Sequence, residues 1–265
     1  MGERIARGQL DGSISGGALC QKLAPSMKVT AVPGMFQSRE EAVHVMTALN
    51  GVFDEELRRS GYAYLASASI GGVILFTTVP VATLDDIRRL RLGSWDLDGI
   101  GLMVNRAIGM QSVPMPAEQV NPSFEAKQIE GLATTPTVVL AWQLTPYLKY
   151  FLDLRISHFY GCTVIASRVF DRLSIEDQTA VRTAAAKFRV RVEEVGKQQD
   201  DELLGGLLAQ KGIRPLPVSP TLRNQFLVAA RQAREQLGDK LGVPGETLQR
   251  VLALLADFRA NRAPQ

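Results

Sequence analysis

SIEDQTAVRTAAAKFRVRVEEVGKQQDDELLGGLLAQK, residues 174–211, decides the architecture. Ser174 stands where a helix needs an N-cap acceptor, and Glu176 and Asp177 follow in the first turn, where the helix dipole favours negative charge. Beyond them only Gly196 and the pair Gly205-Gly206 interrupt the helical pattern, and Gly212 ends it. At 1.5 Å of rise per residue the span reaches about 55 Å, longer than one small lobe. A helix of that length is most useful as a brace across two lobes. Arg182–Glu194 mixes Lys and Arg with Glu along it, which reads as a solvated face.

Upstream, short apolar runs alternate with amphipathic segments. Met1–Arg7 opens as an amphipathic helix, and Leu10–Ser15 and Met27–Pro33 read as strands. Ser38-Arg-Glu-Glu41 is a capping box that starts a helix to about Ser60. Tyr62–Ala68 and Gly72–Thr78 read as two strands, with the glycines of Ser69-Ile-Gly-Gly72 allowing a sharp bend between them. Thr83-Leu-Asp-Asp86 caps a short helix. Strands follow at Arg89–Gly93, Gln111–Pro114 and Gln128–Ala133, with helices from Asp96 to Ile108, after Pro116, and from Pro136 towards Tyr150. Gly161–Ser167 is β-rich. Past the long helix come a strand at Ile213–Leu216 and two helices, the last carrying a core stripe of Leu from Leu248 to Leu255. The alternation predicts an α/β fold with largely parallel sheets.

The 265 residues, 46% hydrophobic and 22% charged, are ordinary globular composition and leave room for two cores. A net charge of +3 with no continuous basic stripe argues against nucleic acid as a partner. No run of about 18 apolar residues is present to span a membrane, and no leader pattern opens the chain. Cys20 and Cys162, far apart in sequence, fit buried thiols better than a disulfide or metal ligands.

Catalytic patterns do not assemble. His44 and His158 sit in no H-E-x-x-H and beside no nucleophile. Gly12-Ser-Ile-Ser-Gly16 carries Ile14 where a nucleophile elbow needs serine, and Gly99-Ile-Gly101 lacks the third glycine of a dinucleotide turn. Asp96 and Asp98 fit helix-start acids better than a metal pair. No catalytic residue, metal site or cofactor is expected.

Seven segments nevertheless fall in a familiar order: Gly8-Gln-Leu-Asp-Gly12, Val32-Pro-Gly-Met-Phe36, Pro80-Val-Ala-Thr-Leu-Asp-Asp-Ile87, Val113-Pro-Met115, Ile129-Glu-Gly131, Leu148-Lys-Tyr150, and Phe170-Asp-Arg-Leu-Ser174 with Asp177-Gln178. Each is weak alone. In register across nearly the whole chain, they resemble the extracytoplasmic solute receptors of tripartite ATP-independent periplasmic (TRAP) transporters, the dicarboxylate-receptor (DctP-like) type.

The resemblance implies a two-lobed periplasmic-binding-protein-like α/β fold with a long bracing helix, closing by a hinge over a ligand in the cleft. It implies lobe I from 1–72 plus 160–200 and lobe II from 73–159 plus 201–265, with hinge strands near 70–75 and 158–165. It also implies a periplasmic location, a small-molecule ligand and TRAP membrane permease subunits as partners. Such receptors begin with further strands that this chain does not carry, so the first lobe is expected to lack them, and a shortened reading frame is the favoured explanation.

The family's gripping residues are largely replaced. Gly93 occupies the place of the signature arginine, Val73 falls near that of a second one, Thr134 near an asparagine, and Gly16 near a cleft position of the first strand. Neither glycine nor valine imitates the bidentate fork by which arginine holds a carboxylate. Arg91, two residues earlier on the same strand face and about 6–7 Å back, either reaches towards the cleft or is a surface arginine. Trp95 and Trp142 complete the expected lining, each with core packing as the alternative. Such a lining suits a ligand less charged than a dicarboxylate, an aromatic or hydrophobic monocarboxylate for example. The alternative to a transport receptor is a ligand-less or sensory interaction protein that kept the fold.

Overall fold

The computed structural model describes residues 2–95 and 99–261. Its strands are β1 (Gly12–Ser15), β2 (Tyr62–Thr77), β3 (Arg91–Trp95), β4 (Gln111–Met115), β5 (Gly131–Thr134), β6 (Tyr150–Ala166) and β7 (Arg214–Pro215). They form one sheet in the order β1-β6-β2-β5-β3-β4, with β7 also paired to β6. The expectation of largely parallel pairing needs correcting. β1/β6, β6/β2 and β2/β5 are antiparallel, and only β5/β3, β3/β4 and β6/β7 are parallel. Parallel pairing requires a crossover, which the helix Gly99–Ile108 supplies between β3 and β4.

β2 and β6 dominate the sheet at 16 and 17 residues, paired from Tyr62↔Ala166 to Thr77↔Tyr150. β1 extends one end of this ribbon and β5, β3 and β4 the other. The two strands expected on either side of Ser69-Ile-Gly-Gly72 are therefore one. The glycines serve register shifts, at Ser69/Gly71 and close to the one at Val73/Leu75, rather than a turn. They also allow close approach: a Cβ on Gly72 would lie 2.6 Å from the Arg155 guanidinium, and one on Gly71 3.3 Å from Asp200 Oδ1.

Two further readings are overturned. Met27–Pro33 is not a strand; Pro25–Ala31 forms a 3₁₀ helix, for which Pro25 at the first turn is suited because it lacks an N–H that would otherwise go unbonded. Ser26, Met27, Val29 and Thr30 are buried there, and a buried apolar run looks the same in either conformation. Second, Cys20 and Cys162 are joined as a disulfide with Cα atoms 5.9 Å apart. The pairing Ser15↔Cys162 brings the start of the helix Gly17–Leu23 beside β6, which erases a sequence separation of 142.

Caps form as their residues require. Ser38, Thr83 and Ser174 accept from the backbone N–H of Glu41, Asp86 and Asp177, and Thr83–Asp86 completes a reciprocal capping box. The long helix runs from Ile175 to Glu202, passes into a π turn over Leu203–Leu207 where Gly206 has φ 149°, and ends at Gln210. Gly196 does not interrupt it. That residue lies against the carbonyls of Ile70 and Ser69, 3.3 and 3.4 Å from where a Cβ would stand. Gly196→Val is expected to lower stability by about 1–3 kcal/mol through overpacking, measured as a shifted urea midpoint at unchanged slope.

Burial forms two cores. The larger includes Phe36, Phe53, Val104, Leu154, Phe226 and Val251; the smaller includes Phe76, Val120, Leu132, Val139, Phe151 and Leu208. β2 and β6 contribute to both. The long helix binds both as well, through Arg182 Nη1 to Tyr64 O (3.1 Å) and Asp200 Oδ2 accepting from Gly72 N (3.3 Å), before Leu203 enters the smaller core. Of the segment 201–265, Leu203, Leu208 and Ile213 pack in the smaller core and Leu222, Phe226, Val251 and Leu255 in the larger.

Candidate ligand-binding cleft

A cavity of about 680 Å³ opens beside the middle of the β2–β6 ribbon, where the two cores meet. This volume suits a small organic molecule. Six of the seven residues expected at the cleft line it together: Gly16, Val73, Gly93, Trp95, Thr134 and Trp142. Arg91 does not. It is exposed at the start of β3, where its Nε lies 3.3 Å from Glu130 Oε2 and its backbone N–H donates to the same carboxylate. The reading that it reaches into the cleft is corrected: it sits at the far end of the strand and is held by an acid beside β5.

Local structure explains each placement. Trp95 closes β3, and Trp142 follows the helix Pro136–Ala141, which Thr135 caps by accepting from Val138 N. The two indoles meet edge to face, centroids 4.9 Å apart at 71°, both half-buried. Such a pair adds about 0.5–1.5 kcal/mol beyond its buried area and offers an apolar wall. Asn121 Nδ2 donates to Trp142 O at 3.2 Å and fixes that end. Gly93 is buried, and a Cβ there would stand 3.0 Å from Ile129 Cδ1, so even a methyl group requires Ile129 to move.

Several lining residues had not been singled out: Gln21 on the helix Gly17–Leu23, Asn105 on the helix Gly99–Ile108, and Ser157, Phe159 and Tyr160 on β6. Phe159 is 37% exposed, large for its type, and its ring packs within 3.0 Å of the Cβ position of Gly16. The signal for β6 was present in the sequence. Leu152, Leu154, Ile156, His158 and Tyr160 alternate with Asp153, Arg155, Ser157 and Phe159, a period of two.

His158 also borders the cavity, yet its ring is shut off from solvent and neither nitrogen has a hydrogen-bond partner. Burial pushes its pKa down to about 4, helped by the guanidinium groups of Arg155 and Arg39 and opposed by Glu41 and Glu40. The ring is therefore neutral near pH 7 and packs edge-on to Phe36, centroids 6.0 Å apart. Tyr160 is buried and its phenol is raised well above its usual value, chiefly by desolvation. Burial likewise raises Asp200, which approaches the ribbon from the long helix at Gly72.

A proton-transfer pair is not formed here. His44 is elsewhere, packed against Phe258 with centroids 4.9 Å apart and the rings tilted by 37°, and no nucleophile is bonded to either imidazole among the described residues. No group of three or more His, Cys, Asp or Glu among the described residues could hold a metal. Asp96 and Asp98 lie outside the described residues. No described helix is long and apolar enough to cross a membrane. The arrangement can enclose a guest against aromatic and aliphatic walls and meet it with a few uncharged polar groups.

Residues 1–240 match the family model for bacterial extracellular solute-binding protein, family 7. The fold is similar to that of a TRAP periplasmic solute binding protein from Ochrobactrum anthropi (TM-score 0.88, 20% identity, 98% of this chain and 81% of that one). It is also similar to one from Haemophilus influenzae with bound L-gulonate (TM-score 0.84, 20% identity, 95% and 82%). A third is the sugar acid binding protein from Advenella mimigardefordensis in complex with galactonate (TM-score 0.83, 18% identity, 96% and 82%). Among curated proteins, none matches.

Proposed function

The chain belongs to the bacterial extracellular solute-binding proteins of family 7, the DctP-type TRAP receptors, and we propose that it captures a small organic solute in the cleft beside β2 and β6 and delivers it to a membrane permease. It is a solute receptor and not an enzyme. The solute makes its contacts with Gly16, Val73, Gly93, Trp95, Thr134 and Trp142. One observation carries this reading: these residues, scattered over 127 positions of sequence from 16 to 142, converge on one cavity of about 680 Å³.

Structurally similar receptors hold L-gulonate and galactonate, both sugar acids. In this chain Gly93 stands where relatives are expected to carry an arginine, and a Cβ there would stand 3.0 Å from Ile129 Cδ1, so the position offers no guanidinium to a carboxylate. The solute is accordingly less charged than a dicarboxylate, with an apolar body against the indoles. The cleft closes by bending of the β2–β6 ribbon at the register shifts Ser69/Gly71 and Val73/Leu75, where the ladder is already interrupted. A periplasmic location fits the Cys20–Cys162 bridge, since structural disulfides persist in oxidising compartments.

Thermal unfolding of the purified protein with a panel of solutes tests the reading. A binder present at about 100 times its Kd stabilises by about 2.7 kcal/mol. Aromatic or aliphatic solutes are expected to raise the midpoint and C4-dicarboxylates to leave it unchanged. Stabilisation by C4-dicarboxylates alone would refute the proposal.

A further inference from the structure

Among the described residues that line the cavity there is no Lys or Arg, and the one acid, Glu118, sits exposed. Arg155, Arg39 and Arg91 are not among the lining residues, and each holds a partner of its own, although Arg39 Nη1 is buried without one. Arg155 Nη2 bonds Asp153 Oδ2 at 3.0 Å, Arg39 Nη2 donates to Glu193 O at 2.6 Å, and Arg91 is paired with Glu130. His158 supplies no charge either, since its neutral ring is sealed behind the wall. The half-buried uncharged polar side chains among its lining residues are Ser15, Gln21, Ser94, Asn105 and Ser157, two amides and three hydroxyls.

A carboxylate that leaves water for this cavity loses its hydration and gains no opposite charge, which is costly. An uncharged amide or hydroxyl loses far less and recovers it from one or two hydrogen bonds. A primary amide offers donors and an acceptor at once, so it can satisfy either end of such a group. Among the described residues, none forms a hydrogen bond with the side chain of Gln21 or Asn105.

We infer that this receptor selects an uncharged solute: a flat or aliphatic body against Trp95 and Trp142, carrying a carboxamide or hydroxyl group read by the side-chain amides of Gln21 and Asn105. The inference rests on the cleft reading above and narrows its ligand from organic solutes in general to neutral ones. Selectivity comes from the absence of a counter-charge as much as from the bonds formed, because the cavity penalises the acid that differs only by one ionised group.

Calorimetric titration with phenylacetamide and phenylacetate, a matched pair of nearly equal shape, tests this at pH 7.5. The amide is expected to bind at least about tenfold more tightly than the acid. Gln21→Leu and Asn105→Leu, each checked for an unchanged unfolding midpoint without solute, are expected to weaken the amide about tenfold and shrink that preference. Tighter or equal binding of phenylacetate overturns the neutral-solute inference and leaves the cleft reading standing. A preference that survives both substitutions overturns the roles of Gln21 and Asn105. If neither compound binds, the inference and the apolar cleft fail together.

Discussion

Unfolding of the oxidised protein is expected to occur well above that of the reduced protein, by several degrees. The bridge between Cys20 and Cys162 spans 142 residues, so it removes a large share of the unfolded chain's freedom. The chain-entropy relation gives about 5 kcal/mol for such a loop, and bridges measured in practice contribute about 2–4. Near 250 residues each kcal/mol moves the midpoint by about 2–4 °C. Calorimetry with and without dithiothreitol, together with a Cys20→Ser, Cys162→Ser double variant, provides the measurement. The reduced and the doubly substituted proteins should melt together, below the oxidised one. Coincident melting of all three, with two thiols titrating in the untreated protein, would return the cysteines to the unlinked state. Cys20 sits within the 15–21 segment that walls the cavity, so the loss should also loosen solute binding.

The second large effect is acid sensitivity through His158. In the folded chain its pKa is about 4, whereas an unfolded histidine titrates near 6.5. Above pH 6.5 neither state carries the proton and the residue is neutral in the balance. As pH falls below 6.5 the unfolded state takes up a proton that the folded state refuses, so stability declines until pH reaches about 4. The full loss is on the order of 3 kcal/mol from a shift of this size. Arg155 from β6 and Arg39 from the helix Arg39–Ala48 add to the refusal, and Glu40 and Glu41 from that helix oppose it. Chemical denaturation between pH 7 and 4 should show this slope, and His158→Gln should flatten it. A variant that keeps the parent's slope would assign the effect to carboxylates instead.

Much of the architecture can be read from local chemistry. Ser38, Thr83 and Ser174 announce their helices because a hydroxyl acceptor before a run of helix formers has little else to do, and each caps as expected. The long helix was legible for the same reason. What escaped was decided by distant partners. The first half of β6 has the period of two, but its pairing with β2 depends on Gly72, which makes room for the Arg155 side chain on the neighbouring strand. Met27–Pro33 is apolar enough for a strand, and only packing chose the 3₁₀ helix Pro25–Ala31. The disulfide had no signature, since nothing in a spacing of 142 says that β1 will lie on β6.

The cleft divides likewise. Gly16, Val73, Gly93, Trp95, Thr134 and Trp142 came from motif order, which carries position along a known frame. Gln21 and Asn105 could not be found that way: an isolated amide on a helix looks like any surface residue until a cavity forms beside it. Arg91 failed for the complementary reason. Strand alternation placed it on the right face, but alternation is silent about depth, and Glu130 claimed the side chain first.

Because both long strands run through the two cores, neither half can be excised without stripping β-pairing from the other. Limited proteolysis should release no free-standing fragment, and a gene assembled by shuffling halves between receptors would have to match the two ribbons residue for residue. Diversity in what such a chain carries must then arise by point changes along the wall and not by exchange of modules.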